Sequence, residues 1–152
     1  MINTRILERE KSRLKKVELL FNMQLKAVQE FNKIYQNIKF QDFIDMEDNK
    51  YIHLNRNLKS IREALEIFLI DYSQILDKDI ENELNKTIKA IDSKRDKENT
   101  ILSNSYDGSI VDYWIESSEC NKYNEIISNH IENINQKLRD FLLKNIKQSN
   151  IK

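Results

Sequence analysis

The sequence predicts an all-α protein, an elongated antiparallel bundle of about four helices in which the first and last helices are long. Pro is absent and Gly occurs once among 152 residues, so the usual residues of hairpins and tight turns are missing. Apolar residues recur at alternating spacings of three and four, which is typical of amphipathic helices. With 39% hydrophobic residues, the chain can bury a core, and we expect one domain over residues 1–152.

The first two helices are expected over about residues 2–44 and 50–76, separated by a turn at the polar cluster DMEDN (45–49). The apolar positions of the first are Leu14, Val17, Phe21, Val28, Phe31, Tyr35 and Ile38. Those of the second are Tyr51, Leu54, Leu58, Ile61, Leu65, Phe68, Tyr72 and Ile75. Because the second helix is shorter, it cannot cover the whole first helix. The N-terminal part of the first helix is therefore expected to keep an uncovered apolar stripe.

The third helix is expected over about residues 79–97, with Asp77 or Asp79 as its N-terminal cap. The polar run DSKRDKEN (92–99) is interpreted as a solvated helix end or a linker. The turn signal Asp107-Gly108 then precedes Ser109 and Asp112, which resemble a capping box. A fourth helix is expected to begin there and to continue to about residue 147.

The stretch SNSYDGSIVDYWIESSEC (103–120) contains the only Gly, the only Trp and the only Cys of the chain. We interpret it as the corner before the fourth helix rather than as a reactive site. Tyr113 and Trp114 are interpreted as an aromatic anchor in the core for the fourth helix, with contact to a partner as the alternative. Cys120 is interpreted as a small buried hydrophobic residue.

Candidate catalytic and metal-binding residues do not form a recognisable site in the sequence. His130 lies ten residues after Cys120 on one predicted helix, roughly 15 Å along its axis, so it cannot act as the base of that thiol. The Glu-x-x-His motif of bundle metal sites is absent at both His53 and His130. Phosphate-binding loops need more than one Gly. We expect no enzymatic activity, no cofactor and no metal ligand.

One acidic ridge on the fourth predicted helix is interpreted as a solvated face that complements a basic partner, with weak binding of a cation as the alternative. Its residues are Asp112, Glu116 and Glu119.

Formal net charge is zero, but its distribution is uneven. Residues 1–16 have six basic and two acidic side chains, residues 137–152 have five and one, and residues 42–120 have ten and eighteen. The two ends are thus +4 each, and the middle is −8. An up-down-up-down order brings both ends to one basic tip, which contains Arg5, Arg9, Arg13, Lys16, Lys137, Arg139, Lys144 and Lys147. The dipole of the first helix disfavours its N-terminal cations, so a role other than helix stability is expected for them.

The leading hypothesis is a non-enzymatic interaction or adaptor protein with coiled-coil character that self-associates or docks on a protein partner. Its contacts would be the apolar Ile6, Leu7, Leu14 and Val17, oriented by the charges of Arg5, Arg9 and Arg13. The alternative hypothesis is a nucleic-acid-binding accessory protein that uses the basic tip, driven by counterion release.

A cytoplasmic location is expected from three features of the sequence. A single Cys cannot form an internal disulfide. The N-terminal residues are charged where a secretory signal needs an apolar run. The longest apolar run, IFLI (67–70), is far shorter than the roughly 20 residues needed to cross a bilayer.

Overall fold

The computed structural model describes residues 2–44, 51–104 and 109–150, without the side chains of residues 2, 40–44, 52, 109, 112 and 147–150. Five helices occupy these ranges: α1 (Ile2–Ile44), α2 (Ile52–Tyr72), α3 (Lys78–Ser103), α4 (Ser109–Glu116) and α5 (Ser118–Asn150). None of them is apolar over enough of its described length to cross a membrane. The turns predicted at 45–49 and at Asp107-Gly108, and the capping box of Ser109 and Asp112, lie outside the described residues and side chains.

Neighbouring long helices run antiparallel. The hydrogen bonds Gln24–Asn145 and Tyr35–Glu132 join α1 to α5 in opposite directions. In the same way, α3 and α5 are joined at Lys137–Asp79, His130–Glu83 and Lys94–Asn124. Helix α1 packs against α2 and α5, and α3 packs against the same two helices. The predicted all-α bundle with long first and last helices is confirmed.

The apolar stripes of these helices meet in one core. At its centre, the ring of Phe31 on α1 lies edge-on to that of Phe68 on α2, with 5.5 Å between centroids. Burial of each such large apolar side chain stabilises the fold by roughly 1.5–3 kcal/mol. Along α1, the first buried side chain is Gln24, so the core begins only halfway along this helix. Its members on the other helices include Leu54, Leu65, Leu84, Ile91, Ile127, Ile131, Ile134 and Leu138.

The single fourth helix predicted over 109–147 is divided into α4 and α5 at Ser117. The Ser117 hydroxyl donates a hydrogen bond to the Trp114 carbonyl at 2.6 Å and accepts one from the Cys120 amide at 3.1 Å. It therefore satisfies a carbonyl at the end of α4 and an orphan N–H at the start of α5, which is the role of an N-cap.

Two other helix ends differ from the prediction. Helix α2 ends at Tyr72 rather than near residue 76, because a turn follows in which the Ile75 amide donates to the Tyr72 carbonyl. Helix α3 continues to Ser103, and the polar run 92–99 belongs to it rather than to a linker. Asp77 takes the N-cap position of α3 without a side-chain cap bond, so the predicted cap is present in the backbone only.

Candidate functional site

The N-terminal half of α1 extends beyond the bundle. Every side chain from residue 3 to residue 20 is exposed, and the α1–α5 hydrogen bond nearest to this end joins Gln24 to Asn145. At 1.5 Å per residue, these 18 residues form a rod of about 27 Å. We call residues 3–20 the projection.

An apolar stripe runs along the projection in the register that α1 uses inside the bundle. The four residues predicted to contact a partner, Ile6, Leu7, Leu14 and Val17, all lie on it and are between 41% and 59% exposed. Leu20 is also exposed and brings the stripe to the point where the core begins. The stripe is thus a core-type helix face on which no other helix packs in the described part of the chain.

The predicted basic tip is spread along α1 and α5. On α1, Arg13 pairs with Glu10 at 2.6 Å. The other three basic residues of the predicted tip are exposed and have no ion pair within the described residues: Arg5, Arg9 and Lys16.

On α5, Lys137 pairs with Asp79. Two further basic residues, Arg139 and Lys144, are exposed, and the side chain of Lys147 is not described. Because Lys144 adjoins the level of Gln24, Arg5 lies about 29 Å further along the axis. The two basic segments share an end of the molecule but form no compact cluster.

A buried lysine, which the sequence did not reveal as such, joins three helices inside the bundle. Lys94 of α3 is fully buried. Its ammonium group donates to Asn55 Oδ1 of α2 at 2.7 Å and to Asn124 Oδ1 of α5 at 2.6 Å. Glu98 Oε1 lies 3.4 Å from the same nitrogen. These contacts supply the partners that a buried charge needs.

The same cluster contains Cys120. Its thiol is fully buried and lies 3.6 Å from Asn55 Oδ1 and 3.7 Å from Asn124 Nδ2. Burial raises the pKa of the Cys120 thiol, so it stays protonated and weakly nucleophilic at neutral pH. Asn55 Nδ2 is buried without a hydrogen-bond partner among the described residues. These residues form a packed polar cluster in which the thiol is shielded from solvent.

Trp114 closes one end of this cluster. Its side chain is buried, and its indole N–H donates to Glu98 Oε1 at 3.3 Å. Its ring centroid lies 6.2 Å from that of Tyr123. Trp114 therefore packs inside the bundle, as interpreted from the sequence. The same interpretation is wrong for Tyr113, which is 83% exposed.

Both histidines are held by neighbours on the helices. His130 Nδ1 lies 2.7 Å from Glu83 Oε1, and no serine, threonine or cysteine is hydrogen-bonded to His130 in the described part of the chain. His53 contacts Asn57, whose side-chain amide also donates to the His53 carbonyl at 3.1 Å. Asn57 has non-helical backbone angles, because a side-chain bond to the backbone competes with regular helix hydrogen bonding. His53 and Asn57 line an open cleft of about 400 Å³ between α1 and α2.

Glu83 is the more buried member of its pair with His130. Burial by itself raises the pKa of a carboxyl, but hydrogen bonds with His130 and Asn133 outweigh it and lower the pKa of Glu83. A lowered pKa means that the ionised form is favoured in the folded state. Glu83 therefore stabilises the fold at neutral pH.

We expect Glu83→Gln to lower the melting temperature at neutral pH. The melting temperature of the variant should also fall less steeply as the pH is lowered into the acid range. The carboxylate contributes stability above its ordinary pKa of 4.5, and this contribution is lost as the pH falls through the lower folded value. The difference in melting temperature between the unchanged chain and the variant should thus shrink from about pH 6 to about pH 3. Scanning calorimetry measures it, and a difference that stays constant over this range would contradict the expectation.

The acidic ridge predicted on the fourth helix lies at the α4–α5 break. Glu119 pairs with Lys97 of α3 at 3.5 Å, Glu116 is exposed, and the side chain of Asp112 is not described. Within the described residues, no group of three or more potential metal ligands occurs. At Glu119, the ridge thus has a basic partner inside this same chain.

Comparison of the chain with protein-family models, with curated proteins and with solved structures gives no match. The projection, with its apolar stripe and basic side chains, is therefore the candidate functional site on physical grounds alone.

Proposed function

We propose that this is a non-enzymatic helical-bundle interaction protein that binds a protein partner through the projection. The observation that carries the proposal is the apolar stripe of Ile6, Leu7, Leu14, Val17 and Leu20, which is exposed in the register of the core. A stripe of this kind on a helix normally faces another helix. Exposed apolar surface that is contiguous and rimmed by polar residues marks an interaction site.

The helix itself supports a role in binding. Most helical stability in proteins comes from tertiary packing of an amphipathic face, and nothing in the described chain packs on residues 3–20 of α1. The macrodipole disfavours Arg5, in the first turn of α1, by roughly a few tenths of a kcal/mol. A partner that covers the stripe and presents acidic groups would offset both costs.

The distribution of charge favours a protein over a nucleic acid as the partner. Glu8, Glu10 and Glu18 are interspersed with the basic residues of the projection, and Arg13 is paired with Glu10. The first aromatic residue of α1 is Phe21, so the projection has no ring on which bases could stack. The apolar side chains on either side of the polar run 8–13, at positions 6 and 7 and at positions 14, 17 and 20, are instead of the kind that a helix-in-groove contact uses.

Photo-crosslinking in cells tests the proposal. We expect benzoylphenylalanine at position 14, on the stripe, to give covalent adducts with protein after irradiation. The same group at position 19 serves as the matched control, because Leu19 is exposed on the same helix but lies two residues from Val17 and so off the stripe. Equal labelling at the two positions, or none at position 14, would contradict a binding role for the stripe.

A further inference from the structure

We propose that the partner is a second copy of this chain, and that the projection of each protomer lies along the outer face of α2 of the other. The inference rests on the proposed function, because it names the surface that receives the projection.

The receiving surface combines apolar and acidic side chains. Ile67 and Ile70 of α2 are 58% and 72% exposed. Glu63, Glu66 and Asp71 are exposed as well and lie four residues from one or other isoleucine, so all five share one face of the helix. We call these five residues the α2 patch. Glu66 is paired with Arg62 of the same helix at 2.8 Å, so Glu63 and Asp71 are the carboxylates that complement the arginines beside the apolar stripe.

The projection cannot reach the α2 patch of its own chain. Helix α1 is continuous from Ile2 to Ile44 and contains neither Gly nor Pro, so it has no residue that favours a sharp fold-back. Phe31 lies beside Phe68, and residues 33–38 of α1 line one cleft with residues 53–64 of α2, so α1 and α2 are antiparallel. The α2 patch therefore lies at the level of about residues 28–36 of α1, while residues 3–20 point away from it. A separate molecule has to supply the contact.

A two-fold axis allows two copies to make the contact reciprocally. The centres of the patch and of the stripe lie about ten residues, roughly 15 Å, to either side of residue 22 of α1. Rotation by 180° about an axis that is perpendicular to α1 and passes beside it near this level brings each projection to the level of the other patch. Both contacts then form together, and the assembly closes as a dimer with identical interfaces.

Charge complementarity favours this pairing over contact between two projections. Residues 1–16 have a net charge of +4, so two projections packed together would repel each other. Against the α2 patch, Arg5, Arg9 and Arg13 instead meet carboxylates, and the chain as a whole has zero net charge. Complementary potentials fix which surfaces pair and suppress the wrong arrangement.

Charge reversal on each surface tests the inference by sedimentation equilibrium. The projection variant is Arg9→Glu with Arg13→Glu, and the patch variant is Glu63→Arg with Asp71→Arg. The unchanged chain is expected to approach twice its 18.3 kDa mass as concentration rises. Each variant alone should show a dimer dissociation constant raised by about tenfold or more, because like charges then face each other.

An equimolar mixture of the two variants provides the decisive comparison. In the mixed dimer, one contact has both charges reversed and the other has neither, so its dissociation constant should return to within about threefold of the unchanged value. The matched control is Lys11→Glu with Lys15→Glu, which has the same net charge as the projection variant. These lysines lie two residues from Arg9 and Arg13, on another side of the helix, and the change should be under about threefold.

The outcomes separate this inference from the proposed function. A dimer that the patch variant leaves unchanged, or a mixture that does not recover, overturns the α2 patch as the receiving surface. A chain that stays monomeric while position 14 still crosslinks to another protein overturns self-association and leaves the proposed function standing. Monomeric behaviour with no adduct at position 14 overturns both.

Discussion

Lys94→Ala is expected to lower the free energy of unfolding by about 3–5 kcal/mol. The substitution removes a fully buried side chain and leaves a cavity between three helices. It also removes the ammonium group that donates a hydrogen bond to Asn124 Oδ1 at 2.6 Å. The loss therefore combines a packing cost with the cost of a buried acceptor left without its partner.

Two further substitutions separate these contributions in a urea titration. Lys94→Met keeps most of the volume and removes only the ammonium group, so a smaller loss of about 1–3 kcal/mol is expected. Lys97→Ala is the matched control on the same helix, because its ion pair with Glu119 is solvent-exposed and should contribute about 0–1 kcal/mol. A Lys94→Met variant more stable than the unchanged chain would show that the buried ammonium costs more than its hydrogen bonds return.

The cluster around Lys94 also fixes how the helices align along their axes. Its two acceptors, Asn55 and Asn124, come from α2 and α5. A slide of one helix by a single turn, about 5.4 Å, would leave the ammonium buried without them. Apolar stripes tolerate such a slide more easily, because leucine and isoleucine contacts are not directional.

The long helices could be predicted from sequence because their apolar residues recur without interruption. In α1 and α2, Phe31, Ile38, Leu58 and Leu65 occupy the periodic positions and are buried. The uncovered apolar stretch of α1 followed from the same pattern, since a second helix of about 40 Å cannot cover a first of about 60 Å.

The polar interior could not be predicted in the same way. Lys94 stands three residues after Ile91 in the buried stripe of α3, but a run of charged residues normally indicates a solvated surface. Its acceptors lie 39 and 30 residues away in sequence, and only the packing of the helices brings them together. The signal that was present is the coincidence of polar slots in two stripes, Lys94 on α3 and Asn124 on α5.

The break at Ser117 was missed for a local reason. A serine inside an apparently continuous helical pattern is compatible with a solvated position, and no Pro or Gly marks the end of α4. The structure shows the hydroxyl bonded to both helices, to the Trp114 carbonyl and to the Cys120 amide. Ser117, followed by Ser118 and by the acidic Glu119, forms a capping pattern. This pattern can be recognised once the break is known.

Replacing Leu7, Leu14 and Val17 by Gln in one chain is expected to abolish association while leaving the fold intact. The three side chains are exposed in the bundle, so the melting temperature of the dilute chain should change little. In the complex, each buried apolar side chain contributes roughly 1.5–3 kcal/mol as an upper bound. Their joint loss should weaken binding by more than about a hundredfold.

Leu19→Gln is the control for this variant. Leu19 is exposed on the same projection but is separated from Leu14 by five residues and from Val17 by two, so it lies off the stripe. It should associate like the unchanged chain. If Leu19→Gln weakened association to a comparable extent, any apolar residue of the projection would contribute to binding, and the stripe would not be the specific contact surface.

Amide hydrogen exchange over residues 3–20, followed by mass spectrometry at low and high protein concentration, measures the effect directly. A projection packed against nothing opens readily and exchanges fast, whereas a covered one is protected. We expect protection of this segment to grow with concentration in the unchanged chain and in Leu19→Gln, and to be absent at every concentration in the triple variant. Equal exchange of the unchanged chain at all concentrations, or protection that survives in the triple variant, would contradict association through the stripe.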